Sequence, residues 1–142
     1  MPPLGRILSL IAKSYLRTLN VKLSDLDIDR NYYALMLIEQ GGGKITQQEL
    51  ASQLEIDKVT MLRSIDHLSE KGYVTRVNNT EDRRKYSLVL TEKAQKVLPQ
   101  IKQAFIDINA SCLKGLSKQQ ITEFLSMLDT LKNNLNEYPS NL

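Results

Sequence analysis

Residues 57–71 read DKVTMLRSIDHLSEK, from Asp57 to Lys71. Placed on a helix at ~100° per residue, Met61, Leu62, Ile65 and Leu68 share one face, while Thr60, Ser64, His67 and Lys71 line the other with Arg63 beside them. Asp57 offers a carboxylate to the free N–H groups of the first turn, and Gly72 accepts the positive φ that ends a helix. The spacing therefore predicts a short, bounded helix with an apolar floor and an outward face suited to base edges. An ordinary surface helix would show the same pattern, so its neighbours decide.

Immediately upstream, Thr46-Gln47-Gln48-Glu49 has the T-x-x-E form in which hydroxyl and carboxylate satisfy each other's backbone N–H groups. A helix should start there, with Leu50, Ala51 and Leu54 inward, and Glu55-Ile56-Asp57 leads directly into the next one. Two short helices so tightly joined, with the small Ala51 permitting close approach, make a helix-turn-helix. Downstream, Tyr73–Val77 and Lys85–Leu90 have strand composition, and Asn78–Asp82 is turn-rich, which predicts a hairpin. Its tip reads Glu81-Asp82-Arg83-Arg84-Lys85, with three adjacent cations partly offset by two acids. Helix-turn-helix followed by hairpin is a winged helix.

Further out, Leu4, Ile7, Leu8, Ile11, Tyr15 and Leu19 repeat at helical spacing through about Lys22, widened by Leu10, Leu16 and Val21. So apolar a face must pack on a later helix or on a second chain. Arg30–Gln40 reads as another helix, stopped by Gly41, Gly42 and Gly43. Thr91 opens a long helix to about Leu113, with a kink expected at Pro99 rather than a break. Ser117-Lys118-Gln119-Gln120 caps a last helix carrying Ile121, Phe124, Leu125, Leu128, Leu131 and Leu135. Residues 139–142 should fray.

The 142 residues suit a single domain, and 42% hydrophobic with 25% charged residues is an ordinary globular balance. No apolar run is long enough for a bilayer; Lys13 and Arg17 interrupt the first one and no small-residue cleavage site follows it. No membrane association and a cytoplasmic home are expected. One cysteine, Cys112, and one histidine, His67, leave the usual metal sites without ligands, so no metal or other cofactor is expected. A formal charge of +3 only mildly favours an anionic partner. An enzyme is not expected, for the sequence shows no Gly-rich phosphate loop, no nucleophile with a partnered base, no second histidine and no carboxylate pair set for acid–base work.

In this order, ITQQELASQLEIDKVTMLRSIDHLSEKGYVTRV and NNTEDRRKYSLVLTEKA resemble the helix-turn-helix and wing of the MarR family of bacterial transcription regulators, the SlyA-like branch most closely. The resemblance implies a mainly α fold with a small β-hairpin wing: a winged helix-turn-helix core at about 29–90, flanked by dimerisation helices at about 4–23 and 91–137. It implies a homodimer on double-stranded DNA, with the recognition helix in the major groove. A wing arginine enters the minor groove, oriented by an aspartate two residues earlier, a spacing matched by Asp82 and Arg84. It also implies a crevice for a small aromatic or phenolic effector, which Tyr15, Tyr32 or Tyr33 would line unless they serve core packing. The chain departs from the family pattern at Asn79-Thr80, where many members have Asp-Pro, at Ala94 and at Pro99. Cys112 fits a buried or dimer-facing hydrophobe better than a peroxide sensor.

On this reading Arg83, Lys85, Lys71 and Arg76 attract phosphates, while Thr60, Arg63, Ser64 and His67 face base edges and Val59 meets a thymine methyl. Arg84 reads a narrow, A·T-rich minor groove. Arg63 has an alternative in pairing with Asp66, Glu70 or Asp82, and His67 one in simple solvation. The expected function is a dimeric repressor on a pseudo-palindromic operator. The competing reading is a winged-helix protein-interaction module that binds no specific DNA.

Overall fold

The computed structural model describes residues 1–138, which form six helices and one hairpin. In chain order these are α1 (Leu4–Lys22), α2 (Tyr32–Gln40), α3 (Gln47–Leu54), α4 (Lys58–Glu70), β1 (Val74–Asn78), β2 (Tyr86–Leu90), α5 (Glu92–Cys112) and α6 (Lys118–Glu137). This is the mainly α winged helix that the motif order predicts. The expected fraying at 139–142 lies outside the described residues. No helix among the described residues is long and apolar enough to cross a membrane.

The chain divides into two compact units, Met1–Ile108 and Asn109–Leu142. In the first, Leu35 and Ile38 of α2, Leu50 of α3, and Met61, Ile65 and Leu68 of α4 are buried together with Leu88 of β2 and Leu98 and Ile101 of α5. The local signals perform as chemistry requires. Thr46 Oγ1 accepts from Glu49 N–H at 3.1 Å and Glu49 Oε2 accepts from Thr46 N–H at 3.4 Å. Asp57 Oδ1 accepts from Thr60 N–H at 2.8 Å, opening α4. Between the two helices Glu55 adopts a left-handed conformation at φ 54, the tight bend of the helix-turn-helix.

Several boundaries differ from expectation by a residue or two, β2 for instance starting at Tyr86 rather than Lys85. Helix α2 starts at Tyr32 rather than Arg30, because Asn31 is left-handed at φ 67 and cannot continue a helix backwards. Strand β1 starts at Val74 because Tyr73 belongs to the closure of α4: its N–H donates to Leu68 O at 2.9 Å and Gly72 N–H donates to Ser69 O at 3.0 Å. That pair of bonds, with Gly72 at φ 82, is the Schellman closure. The antiparallel register runs from Val74 opposite Leu90 to Asn78 opposite Tyr86. A further rung pins the wing to the α2–α3 connection, where Thr46 bridges to Ser87 and Leu88 N–H donates to Ile45 O at 2.9 Å. Helix α5 runs through Pro99 without a break.

Apolar surface is left over in each unit. Helix α1 buries only Leu19 and exposes Leu4, Ile7, Leu8, Leu10, Ile11 and Leu16. In the second unit α6, opened by the Ser117–Gln120 capping box, buries no residue and exposes Phe124, Leu125, Met127 and Leu135. Cys112 is exposed in the single chain, so burial within it is ruled out.

Candidate nucleic-acid interface

Three core residues set the rotation of α4. With Met61, Ile65 and Leu68 at most 1% exposed, the opposite stripe at ~100° per residue holds Val59, Arg63, Asp66 and Glu70. This corrects the expected face. Leu62 is not inward but 47% exposed, because the helix turns it well away from its neighbour Met61. Of the expected base readers Val59, at 59%, Thr60 and Arg63 are exposed. Among the described residues Arg63 has no ion-pair partner, and one of its alternatives, Asp66, is already engaged by Arg76.

The remaining expected residues divide. Thr60 is exposed, but its hydroxyl is held by Asp57 Oδ2 at 2.8 Å, and these bonds from Thr60 keep the Asp57 carboxyl below the usual range. Ser64 is half-buried. His67 departs from the expected outward face: its side chain is 19% exposed and turned toward the α1–α2 connection, with Nε2 3.8 Å from Asp29 Oδ1 and without a hydrogen-bond partner. Lys71 is exposed at the end of α4, its carbonyl accepting from Lys93 Nζ at 2.7 Å.

Arg76 is not a free cation. Its guanidinium, 25% exposed, donates to Asp66 Oδ1 at 2.7 Å and to Gln47 Oε1 at 3.2 Å, joining β1 to α4 and α3. Arg84 is the opposite case. It stands 91% exposed at the wing tip, yet Asp82 Oδ1 accepts both its backbone N–H at 3.0 Å and its Nε–H at 3.2 Å. Those two bonds lower the Asp82 carboxyl below its ordinary range, keeping it ionised. Arg83 and Lys85 are exposed beside it.

A cavity of about 500 Å³ lies between α3, α4 and the base of the wing, lined by Gln47, Gln48, Lys58, Leu62, Lys85 and Tyr86 among others. Of these only Lys85 was expected at the interface. Gln47 and Gln48 were read solely as the interior of a capping box, and Lys58 lies directly after the α4 cap, where its exposure follows from position. Among the tyrosines, Tyr32 is buried with its hydroxyl donating to Ile28 O at 2.9 Å. Tyr33 is exposed and edge-on to Phe105, with ring centroids 6.3 Å apart, while Tyr15 is half-buried against the core.

A helix-turn-helix braced by a hairpin with a cationic tip defines a winged helix. Residues 25–85 match the model of the MarR family. The fold is similar to a MarR family transcriptional regulator from Listeria monocytogenes complexed with a 26mer DNA, at 27% identity and TM-score 0.85 over 95% of this chain and 90% of that one. It is similar to a mutant MarR from E. coli complexed with operator DNA, at 27% identity and TM-score 0.80 over 92% and 94%. It is also similar to the transcriptional regulator SlyA, at 26% identity and TM-score 0.82 over 93% of each chain. The winged-helix core thus matches the MarR family of transcription regulators, and the fold of nearly the whole chain is that of its solved members.

Proposed function

We propose that this protein is a homodimeric, sequence-specific DNA-binding repressor whose core at about 29–90 recognises a pseudo-palindromic operator. The observation that carries the reading is Arg84, almost wholly exposed yet held in a fixed direction by Asp82. An exposed arginine ordinarily roams; one tethered at a hairpin tip is prepared for a narrow, electronegative groove. The α4 stripe supports major-groove reading, with Arg63 aimed at guanine and Val59 at a thymine methyl. Phosphate attraction comes from Arg83, Lys85, Lys58 and Lys71, with Arg76 serving as a brace instead. Thr60 and Ser64 remain on the reading surface, and His67 acts from its edge.

The apolar faces of α1 and of α6 support dimerisation, since each is left open by its own unit and a second copy would cover it. Occupancy of an operator by such a dimer blocks access to the promoter, hence repression. Release by a small aromatic or phenolic effector completes the reading, with Tyr33, Phe105 and Tyr15 as the rings on which it would stack.

Selection from randomised duplex DNA tests the proposal. Enrichment of an inverted repeat with half-site centres about one helical turn apart, bound by a species of twice the chain mass, is the expected result. If no sequence is enriched, the winged helix is a protein-binding module instead.

A further inference from the structure

The wing tip, Asn79 to Lys85, contains neither proline nor glycine. Its shape therefore rests on hydrogen bonds rather than on restricted dihedrals. Asn79 makes three of the side-chain ones, and the other three join Arg84 to Asp82. Its Oδ1 accepts from Glu81 N–H at 2.9 Å and from Asp82 N–H at 3.1 Å, while its Nδ2 donates to Ser87 Oγ at 2.8 Å. The amide orientation is fixed by its partners, because two backbone donors face the oxygen and a hydroxyl faces the nitrogen. Ser87 is itself buried, at 4% exposure, in the strand that bridges to Thr46. Backbone bonds from Asn79 N–H to Lys85 O and from Lys85 N–H to Asp82 O, each 3.0 Å, close the loop.

A continuous line of hydrogen bonds thus runs from a buried anchor to an exposed cation: Ser87 to Asn79, Asn79 to Asp82, Asp82 to Arg84. We infer that Asn79 is a positioning residue for DNA recognition: it fixes Asp82 and, through it, the direction in which Arg84 enters the minor groove. This deepens the regulator reading and rests on it. Arg84 needs such help because ordering a long, exposed side chain on a free loop would consume binding energy when DNA arrives. The N–H groups that Asn79 holds lie at an exposed tip, so water replaces their partner when it is lost. Removing Asn79 should accordingly cost order at the tip and little folding stability.

The test uses the full-length protein and its selected operator with minor-groove flanks of A·T, G·C or inosine·C. Inosine·C lacks the amino group that guanine places in the minor groove, so it separates groove shape from base-pair identity. Wild type should favour A·T and inosine·C flanks over G·C. Asn79→Ala should lower affinity for the A·T operator by about 5- to 10-fold, as expected for loss of a few modest hydrogen bonds, and flatten the flank preference. In an Arg84→Ala background the same change should cost less than about 2-fold, because the two residues act through one contact. Asn79→Asp should keep the flank preference, since its carboxylate accepts the same two N–H bonds and the Ser87 hydroxyl can donate to it. Thermal unfolding confirms that each variant folds; should Asn79→Ala not fold, Ser87→Ala removes the anchor alone and should flatten the preference likewise. An Asn79→Ala cost undiminished beside Arg84→Ala, or an unchanged flank preference, overturns the inference. Failure of wild type to bind any duplex overturns the regulator reading, and is seen before any variant is compared.

Discussion

Arg76 and Arg84 sit on one hairpin and are used in opposite ways. Arg76 is tied to Asp66 and Gln47, 10 and 29 residues earlier on two different helices, so its role as a brace could not be read from the strand that carries it. Arg84 is tethered by a residue two positions earlier, and that local pairing was visible in the D-x-R spacing. Leu62 shows the same limit. Its apolar type suggested the core, whereas the helix rotation fixed by Met61, Ile65 and Leu68 leaves it on the cavity wall beside the wing. The difference is measurable in stability. Ile65→Ala, at a fully buried position, should cost about 2–5 kcal/mol in urea unfolding. Leu62→Ala should cost less than about 1 kcal/mol, as half-exposed positions do. Equal losses would mean that Leu62 supports the core after all.

Elements were legible wherever their limits are set by adjacent residues. The capping boxes at Thr46 and Ser117, the Asp57 cap and the Gly72 stop all lie within a few residues of what they satisfy. Joints between elements were not. Lys93 of α5 donates to Asp27 Oδ2 at 2.7 Å and to Lys71 O at 2.7 Å, and lies 4.5 Å from the centre of the Tyr73 ring. Tyr73 in turn donates its hydroxyl to the other Asp27 oxygen. This joint fastens the end of α4 to α5 and to the α1–α2 connection, by groups scattered along the chain. Lys93 first, and then Tyr73, hold the Asp27 carboxyl below its ordinary range. A depressed carboxyl binds fewer protons when folded than when unfolded, so its contribution is present above about pH 4 and is lost as pH falls through the folded value. Asp27 is half-exposed, and solvent screening limits the contribution to roughly 0.5–1 kcal/mol. In urea unfolding from pH 6 to pH 2 by about one-unit steps, Asp27→Asn should be less stable at the upper end and decline less steeply toward acid. A decline identical to wild type would remove Asp27 from the account.

At the scale of the molecule, the order of motifs carried more than any total. The net charge of +3 is slight, but exposed cations collect at the wing tip and at both ends of α4, while acids such as Asp66 and Asp82 are engaged by arginines. Excess apolar surface on α1 and on α6 was legible as periodicity without a partner; what covers it was not, because a partner leaves no mark in a single chain. The central claim is that these cations meet DNA phosphates while α4 and Arg84 read a sequence. It is tested most directly by the affinity of wild type for its selected operator and for a scrambled duplex, each between about 50 and 200 mM salt. The account requires the operator to be preferred at every salt concentration and both affinities to fall steeply, by about 100-fold or more for a dimer making several phosphate contacts. Affinities that are equal for the two duplexes and indifferent to salt would contradict it.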